Sequence, residues 1–184
     1  MNHISTITFE NIPETELYIL EPLCNQLMTY QKSKAFIEPE RFDVMNYETR
    51  LVPSVKNARY NHIIIAKDGE EIIAYAYSNI CGKETYAGGM FGAFFEMDSV
   101  KGENVGCLSQ FYIAESYRGL GIGHELFNRS MAWLKTFPEV TDYFIFVSNG
   151  NQTALNFYLA RNFVYSHDIL NGFISVLRSP ARTF

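Results

Sequence analysis

No apolar run in this chain approaches the length of a membrane-crossing helix. The opening stretch MNHISTITFENIPETEL lacks the basic segment and apolar core of a secretory signal. A cytoplasmic location is the expectation. Cysteine is scarce: Cys24, Cys81 and Cys107 are odd in number and never at C-x-x-C spacing. That speaks against a disulfide framework and for reduced thiols. His3, His62, His124 and His167 lie far apart without an H-E-x-x-H pattern, so no metal site is expected. Basic residues are outnumbered, 15 Lys and Arg against 20 Asp and Glu, for a net charge of -5. Neither nucleic acid nor a membrane surface is the expected partner, and the acidic balance weakly favours a cationic one. Repeats, linkers and low-complexity segments are missing as well.

What remains is globular composition: 184 residues, 47% hydrophobic and 15% aromatic. This is enough for one sizeable core, read as a single domain over 1–184. ISTITFENI reads as a first strand. TELYILEPLCNQLMTYQKSKAF carries Leu17, Leu20, Leu23, Leu27 and Met28 at near-helical spacing, with Pro22 marking a start or a kink. A second helix is expected within Pro39 to Leu51. The stretch NHIIIAKDGEEIIAYAYSNI is the strongest hairpin signal, turning at Asp68-Gly69. Residues 82–104 mix glycines with Met90, Phe91, Phe94 and Phe95 and read as an extra strand or a loop over a cleft. After them come a strand (VGCLSQFYIA), a helix from Leu120 to Lys135 and an apolar strand (DYFIFVSN). A short helix capped by Asn151 follows, then two closing strands around Asn171-Gly172. The order is β-αα-ββ-(loop)-β-α-β-α-ββ, an α/β mixture.

The stretch YRGLGIGHELF places Gly119, Gly121 and Gly123 where a strand gives way to a helix. A helix N-terminus presents unpaired N–H groups and a positive dipole end, and glycines let a phosphate approach that backbone. A bound pyrophosphate is one reading, with Arg118 beside it; a tight turn without ligand is the other. A dinucleotide fingerprint needs a third glycine at position 124, where His124 stands, and no Gly-Lys-Ser/Thr is present.

Arg118-Gly-Leu-Gly121-Ile-Gly123 resembles the Arg/Gln-x-x-Gly-x-Gly/Ala signature of the GNAT superfamily of acyl-CoA N-acyltransferases. NQTALNFYLARNF is similar to that family's Asn-x-x-Ala-x-x-x-Tyr-x-x-x-Gly-Phe block, matching at Asn151, Ala154, Tyr158 and Phe163. The quotable likeness spans 108–163, and the element order extends it over nearly the whole chain. It implies a mixed, mostly antiparallel twisted sheet of about seven strands. About four helices would flank it, and a splayed cleft would separate strands four and five.

The resemblance also implies roles. Backbone groups of Phe111 and Ile113 would pair with the pantetheine arm. The amides from Arg118 through Gly119, Gly121, Ile122 and Gly123 to His124 would cradle the pyrophosphate. Asn151 would hold the arm or the acetyl end. Tyr158 would touch the cosubstrate and act as general acid toward the departing thiolate. The carboxylate that many relatives carry in strand four is replaced here by Ser109 and Gln110, neither a base. Glu96 and Asp98 are the substitutes on chemical grounds, beside Glu103. Asn162 stands where the family has glycine, and Glu115 where it often has proline. The expected function is direct acetyl transfer from acetyl-CoA to a small-molecule or peptide amine. No metal takes part, and dimerisation through the late strands is expected. The acidic balance and the aromatics of 90–95 fit a small cationic or amphipathic acceptor. The alternative is a GNAT-like acyl-CoA-binding module that senses and does not catalyse.

Overall fold

The computed structural model describes residues 6–87 and 93–180. Among these described residues, seven strands form one sheet in the order β1-β2-β3-β4-β5-β7-β6. They are β1 (Ile7–Asn11), β2 (Tyr60–Asp68), β3 (Glu71–Gly82), β4 (Asn104–Ile113), β5 (Asp142–Ser148), β6 (Val164–Ile169) and β7 (Ile174–Pro180). Every neighbouring pair is antiparallel except β4 and β5, which run parallel. Among the described residues the α-helices are α1 (Glu21–Lys34), α2 (Val52–Asn57), α3 (Ile122–Leu134) and α4 (Gln152–Leu159). The fold class and element order expected from the sequence are those observed.

Alternation along the central strands divides the core between two faces. Ile63, Ile65, Tyr75 and Tyr77 pack under α1, α2 and the turns between them. Ile64, Ala66, Ala74 and Ala76 pack under α3 and α4. A strand buried on both sides must be apolar at every position, which is why IIIA in β2 shows no period of two. α3 buries Leu126, Phe127, Met131 and Leu134 on the second face. Full burial of one such leucine stabilises the fold by about 1.5–3 kcal/mol.

Local signals held where their chemistry is strong. Pro22 lies in the first turn of α1, where its missing N–H costs nothing, so the helix starts there without a kink. Gly69 takes φ 60° in the β2–β3 hairpin. The expected helix within Pro39–Leu51 is a 3-10 turn (Pro39–Val44) and a π turn (Tyr47–Leu51), with α2 only beginning at Val52. Met45 is extended (φ −98°, ψ 120°), and Asn46 caps a new start rather than continuing the old one. Between β3 and β4 the described residues hold two 3-10 turns, Lys83–Tyr86 and Met97–Ser99, and no strand. Met90 and Phe91 lie outside the described residues. Among those described, no helix is long and apolar enough to cross a membrane, and no group of His, Cys, Asp or Glu is arranged to hold a metal.

Candidate active site

The sheet is continuous except at its centre. β4 and β5 share two residue pairs, Gly106 with Tyr143 and Cys107 with Phe144. Gly106 permits that contact: a Cβ there would lie 2.8 Å from Tyr143 Cδ1 and 3.0 Å from Leu134 Cδ2. Beyond Cys107 the strands separate. The β3–β4 register slips so that Tyr77 faces Gln110 and Ser78 faces Leu108, leaving Ser109 as a bulged residue. A bulge bends its strand and deepens the local twist, and here it turns β4 away from β5. The gap opens into a cavity of about 330 Å³ walled by Leu108–Phe111 on one side and Ile145–Ser148 on the other. Tyr158 and Ala154 line it from the α4 face, Met28 and Arg50 from the opposite face. The cavity therefore passes through the sheet, so two ligands can meet in it from opposite sides.

At the end of β4 the chain makes a 3-10 turn (Glu115–Tyr117) and enters α3 through the glycines. Gly119 and Gly121 have φ 78° and 83°, a conformation that disfavours any side chain, and a Cβ on either would meet nothing within 4 Å. The Arg118 amide is already bonded to the Glu115 carbonyl at 3.3 Å, so the free amides run from Gly119 to His124. Gly123 serves packing instead: its Cβ position lies 3.3 Å from Ile113 Cδ1 and 3.4 Å from Phe157.

The family model for Acetyltransferase (GNAT) family matches residues 25–163, three quarters of the chain. The chain belongs to the GNAT acetyltransferase family. No curated protein matches it. Among solved structures it resembles Arabidopsis thaliana NAA60 in complex with a bisubstrate analogue (16% identity, 95% of this chain and 98% of that one, TM-score 0.62). It also resembles the PaiA N-acetyltransferase of Thermoplasma acidophilum in complex with coenzyme A (14% identity, 95% and 99%, TM-score 0.65). A third likeness is to the ribosomal-protein-S18-alanine N-acetyltransferase of Escherichia coli (12% identity, 97% and 96%, TM-score 0.57). At these identities the likeness is one of fold.

Within this GNAT chain, Tyr158 is buried against the aromatic rings of Phe111, Phe127, Phe157 and Phe163 and faces the cavity. Burial raises its phenol pKa above the ordinary tyrosine value, the nearby Cys107 thiol adds to the rise, and Arg161 opposes it. The hydroxyl is protonated at neutral pH. Its backbone is pinned by the helix end: Asn162 adopts φ 68°, and the Phe163 amide donates back to the Tyr158 carbonyl at 3.3 Å. Asparagine thus performs the left-handed cap expected of glycine. Asn151 caps α4 through its side chain, which accepts from the Ala154 amide at 3.3 Å, and it also lines the cavity.

Other sequence-read residues lie elsewhere. The Arg118 side chain lies against α1 and β4. Its guanidinium lies 4.3 Å from the Tyr30 ring centre and 5.6 Å from that of Tyr112, and its Nε donates to the Ile113 carbonyl at 3.0 Å. It clasps α1 to β4 and occupies a carbonyl expected for the pantetheine arm. Phe111 lines the cavity. Ile122 is buried in the first turn of α3, and the His124 ring is exposed, 3.0 Å from Asn128 Nδ2. Glu96 and Asp98 are exposed around the 3-10 turn Met97–Ser99 and do not line the cavity. A base must come within hydrogen-bond reach of the proton it removes, and the fold does not bring these two there. Gln110, at the family's carboxylate neighbourhood, is tied into the core. Its Oε1 accepts from Tyr75 OH at 2.7 Å and from Cys24 Sγ at 3.4 Å. Burial, reinforced by Cys81, pushes the Cys107 thiol up to about 12, so it stays a thiol and not a nucleophilic thiolate. The sequence reading missed Arg50, which no motif or periodicity singled out.

Proposed function

We propose that this chain is an N-acetyltransferase that moves the acetyl group of acetyl-CoA to a primary amine by direct attack in a ternary complex. The observation that carries this is the opening between β4 and β5, with a buried tyrosine on one wall and bare, left-handed glycines at the mouth of α3. The residues fit the cosubstrate. Amides from Gly119 to His124 would hold its pyrophosphate, with the α3 dipole behind them. The unpaired stretch of β4 around Phe111 would take up the amides of its pantetheine arm as an added strand would. Acetyl-CoA supplies an activated thioester, and no metal is needed.

Tyr158 would donate its proton to the sulfur as the C–S bond breaks. A thiol is ordinarily the stronger acid, roughly 8.5 against roughly 10 for a phenol. A phenol raised further by burial therefore gives up its proton only in step with cleavage. Thiol rather than tyrosine chemistry would have needed a thiolate, and the buried thiol of Cys107 does not offer one. With Glu96 and Asp98 exposed and not lining the cavity, the amine would be attacked as its free base, its proton lost to water. The acceptor is a small-molecule or peptide amine; the bisubstrate-bound relative supports that class. The absence of a carboxylate from the described cavity wall favours a second reading, an acyl-CoA-binding module without turnover. The deciding experiment combines CoA titration with acetyl-CoA consumption against mixed amines. CoA binding with turnover establishes the enzyme. CoA binding without turnover of any amine establishes the sensor, and failure to bind CoA removes both.

A further inference from the structure

The sheet divides the cavity into two unlike halves. Along β5, Ile145 and Val147 pack with Tyr158 on the α4 side. The period of two therefore turns Phe144, Phe146 and Ser148 to the other side, and β5 keeps an unbroken register with β7 over these residues. The wall on that side is apolar and aromatic. Phe146 meets the rings of Phe94 and Tyr86 at 4.5 Å and 5.7 Å between centres. Phe42 meets Phe173 at 5.2 Å. All five rings line the cavity, with Met28 beside them. The buried amides there are spent inside the protein. Asn79 Nδ2 donates to Tyr77 OH at 3.0 Å, and its Oδ1 accepts from Tyr86 OH at 3.3 Å. Gln110 is tied to Tyr75 and Cys24. Arg50, which also lines the cavity, interacts within the protein and is not free. Ser148 differs: it is 4% exposed, and its hydroxyl has no hydrogen-bond partner among the described residues. A buried hydroxyl in that state is destabilising until something bonds to it. No Asp or Glu lines the cavity among the described residues, and residues 88–92, Gly-Gly-Met-Phe-Gly, add none.

We infer that the acceptor is a small arylalkylamine, a primary amine on an uncharged aromatic body, with its nitrogen held by the Ser148 hydroxyl and its ring on the wall that Phe146 shares. This rests on the acetyltransferase reading above and names its acceptor class. Phe146 and Ser148 stand about 7 Å apart along one face of β5. An amine two or three carbons from a ring matches that separation. The Ser148 oxygen would accept an N–H of the amine and leave the nitrogen lone pair free to attack the thioester. A neutral hydroxyl is no base, so it orients the amine while the proton goes to water. The ring gains from burial and from edge or offset contacts with its aromatic neighbours. A polyamine would bring a second ammonium to a wall without a carboxylate, and an unpaired charge there is costly to bury. A peptide would bring backbone N–H and C=O groups, which the committed amides of Asn79 and Gln110 do not meet. The cavity must also take the acyl end of the cosubstrate, so about 330 Å³ leaves room for a small acceptor only. Of the cationic and amphipathic acceptors that the sequence suggested, the wall selects the amphipathic one.

The test measures acetyl-CoA consumption with 2-phenylethylamine, n-propylamine, putrescine and the tripeptide Phe-Gly-Gly. Melting temperature and CoA affinity are the fold controls. Wild type should prefer 2-phenylethylamine over n-propylamine by about tenfold or more in kcat/KM, the worth of burying the ring. Putrescine should fall below n-propylamine. Phe146→Ala should bring the phenyl-to-propyl ratio toward one, chiefly through KM, and Phe146→Leu should restore it in part. Ser148→Ala should lower kcat/KM about tenfold on both amines, the upper worth of a neutral hydrogen bond. It should leave the phenyl-to-propyl ratio, the CoA affinity and the melting temperature unchanged, since no bond within the protein is lost. Wild-type preference for putrescine or for Phe-Gly-Gly over 2-phenylethylamine would overturn the inference. So would full activity in Ser148→Ala, or a phenyl-to-propyl ratio that a folded Phe146→Ala leaves unchanged. If Phe146→Ala does not fold, Phe146→Leu and the wild-type ratios decide. If no amine is turned over, the acetyltransferase reading fails separately. Titration of N-acetyl-2-phenylethylamine, with and without CoA, then decides. Binding weakened about tenfold in Ser148→Ala supports the inference, and no binding to wild type overturns it.

Discussion

Around α3 and α4 the chain is built from regular helices, three glycines at positive φ (Gly119, Gly121 and Gly150), and a helix end closed by Asn162. Across the sheet, between α1 and α2, it uses a 3-10 turn, a π turn and a helix of six residues. Under the proposed function, the difference follows from what each side would recognise. A pyrophosphate is held by main-chain amides, and amides can be aimed only by a narrow set of backbone angles, which forces glycine at particular positions. An acceptor is held by side chains, and a side chain can be brought to a point from many backbones. The first kind of recognition leaves a pattern in the sequence, whereas the second leaves single residues with no pattern around them.

That contrast can be broken most severely at Tyr158. Tyr158→Phe keeps the ring among its aromatic neighbours and removes only the proton donor. kcat should fall by about 10²–10⁴, the usual worth of general acid help. KM for acetyl-CoA and the melting temperature should change little, and steady-state kinetics beside a thermal melt read both. Turnover within about threefold of wild type would return Tyr158 to a packing role.

A smaller effect is expected at the glycines. Gly121→Val puts a branched side chain into the open space before α3. CoA affinity should drop at least tenfold, about 1.4 kcal/mol, by titration calorimetry. The positive φ costs stability as well, about 1–2 kcal/mol, which leaves the chain folded. Unchanged affinity in a folded variant would remove the loop from the binding surface.

At the vertex of the cleft, Gly106→Ala forces a Cβ against Tyr143 and Leu134. Overpacking of this kind costs about 1–3 kcal/mol, measurable as a lower urea midpoint. The smallest change is expected at the acidic turn. Glu96→Gln and Asp98→Asn should keep kcat/KM within about threefold of wild type, with a mutant-to-wild-type ratio flat across pH. In all three proteins kcat/KM for the acceptor should rise with pH toward the pKa of the acceptor's own amine, because its free base is the reactive form. A variant that loses most activity at neutral pH and regains it as pH rises would restore that carboxylate as the base.

Much of this was legible because its physics is local. The Asp68-Gly69 hairpin, the Asn151 cap and the glycine loop each announce a backbone requirement within a few residues. Asn162 was readable as a substitute for glycine because few other residues accept its angles. What could not be read depends on partners distant in the chain. Gln110 looked like the neighbour of a missing base until its bonds to Tyr75 and Cys24 placed it in the core. Arg118 looked like a phosphate ligand, but Tyr30, 88 residues earlier, supplies the ring it lies over. The stretch Pro39–Leu51 has helical composition, yet the break at Met45 and Asn46 divides it into two turns.

A sheet joined at its middle by two residue pairs has a seam. On one side lie β1 to β4, on the other β5, β7 and β6. Besides those pairs, the seam is bridged by the stacking of Phe95 on Phe144, ring centres 4.4 Å apart. Asn149 adds a further tie, its side chain bonding Phe36 N, Ile37 N, and the Ile37 and Phe173 carbonyls at 2.8–3.2 Å. Arg178 bonds to Ser99, the His167 ring meets the Phe94 carbonyl, and Tyr86 and Phe94 pack on Phe146, so side chains of the β3–β4 connection and not ladder bonds hold most of the seam. A cosubstrate arm lying in the gap supplies the missing rungs on the β4 side. It would then be a structural member as well as a reactant. Under the proposed function, any opening of the two leaves would then be opposed by occupancy, with a free energy linked to ligand concentration.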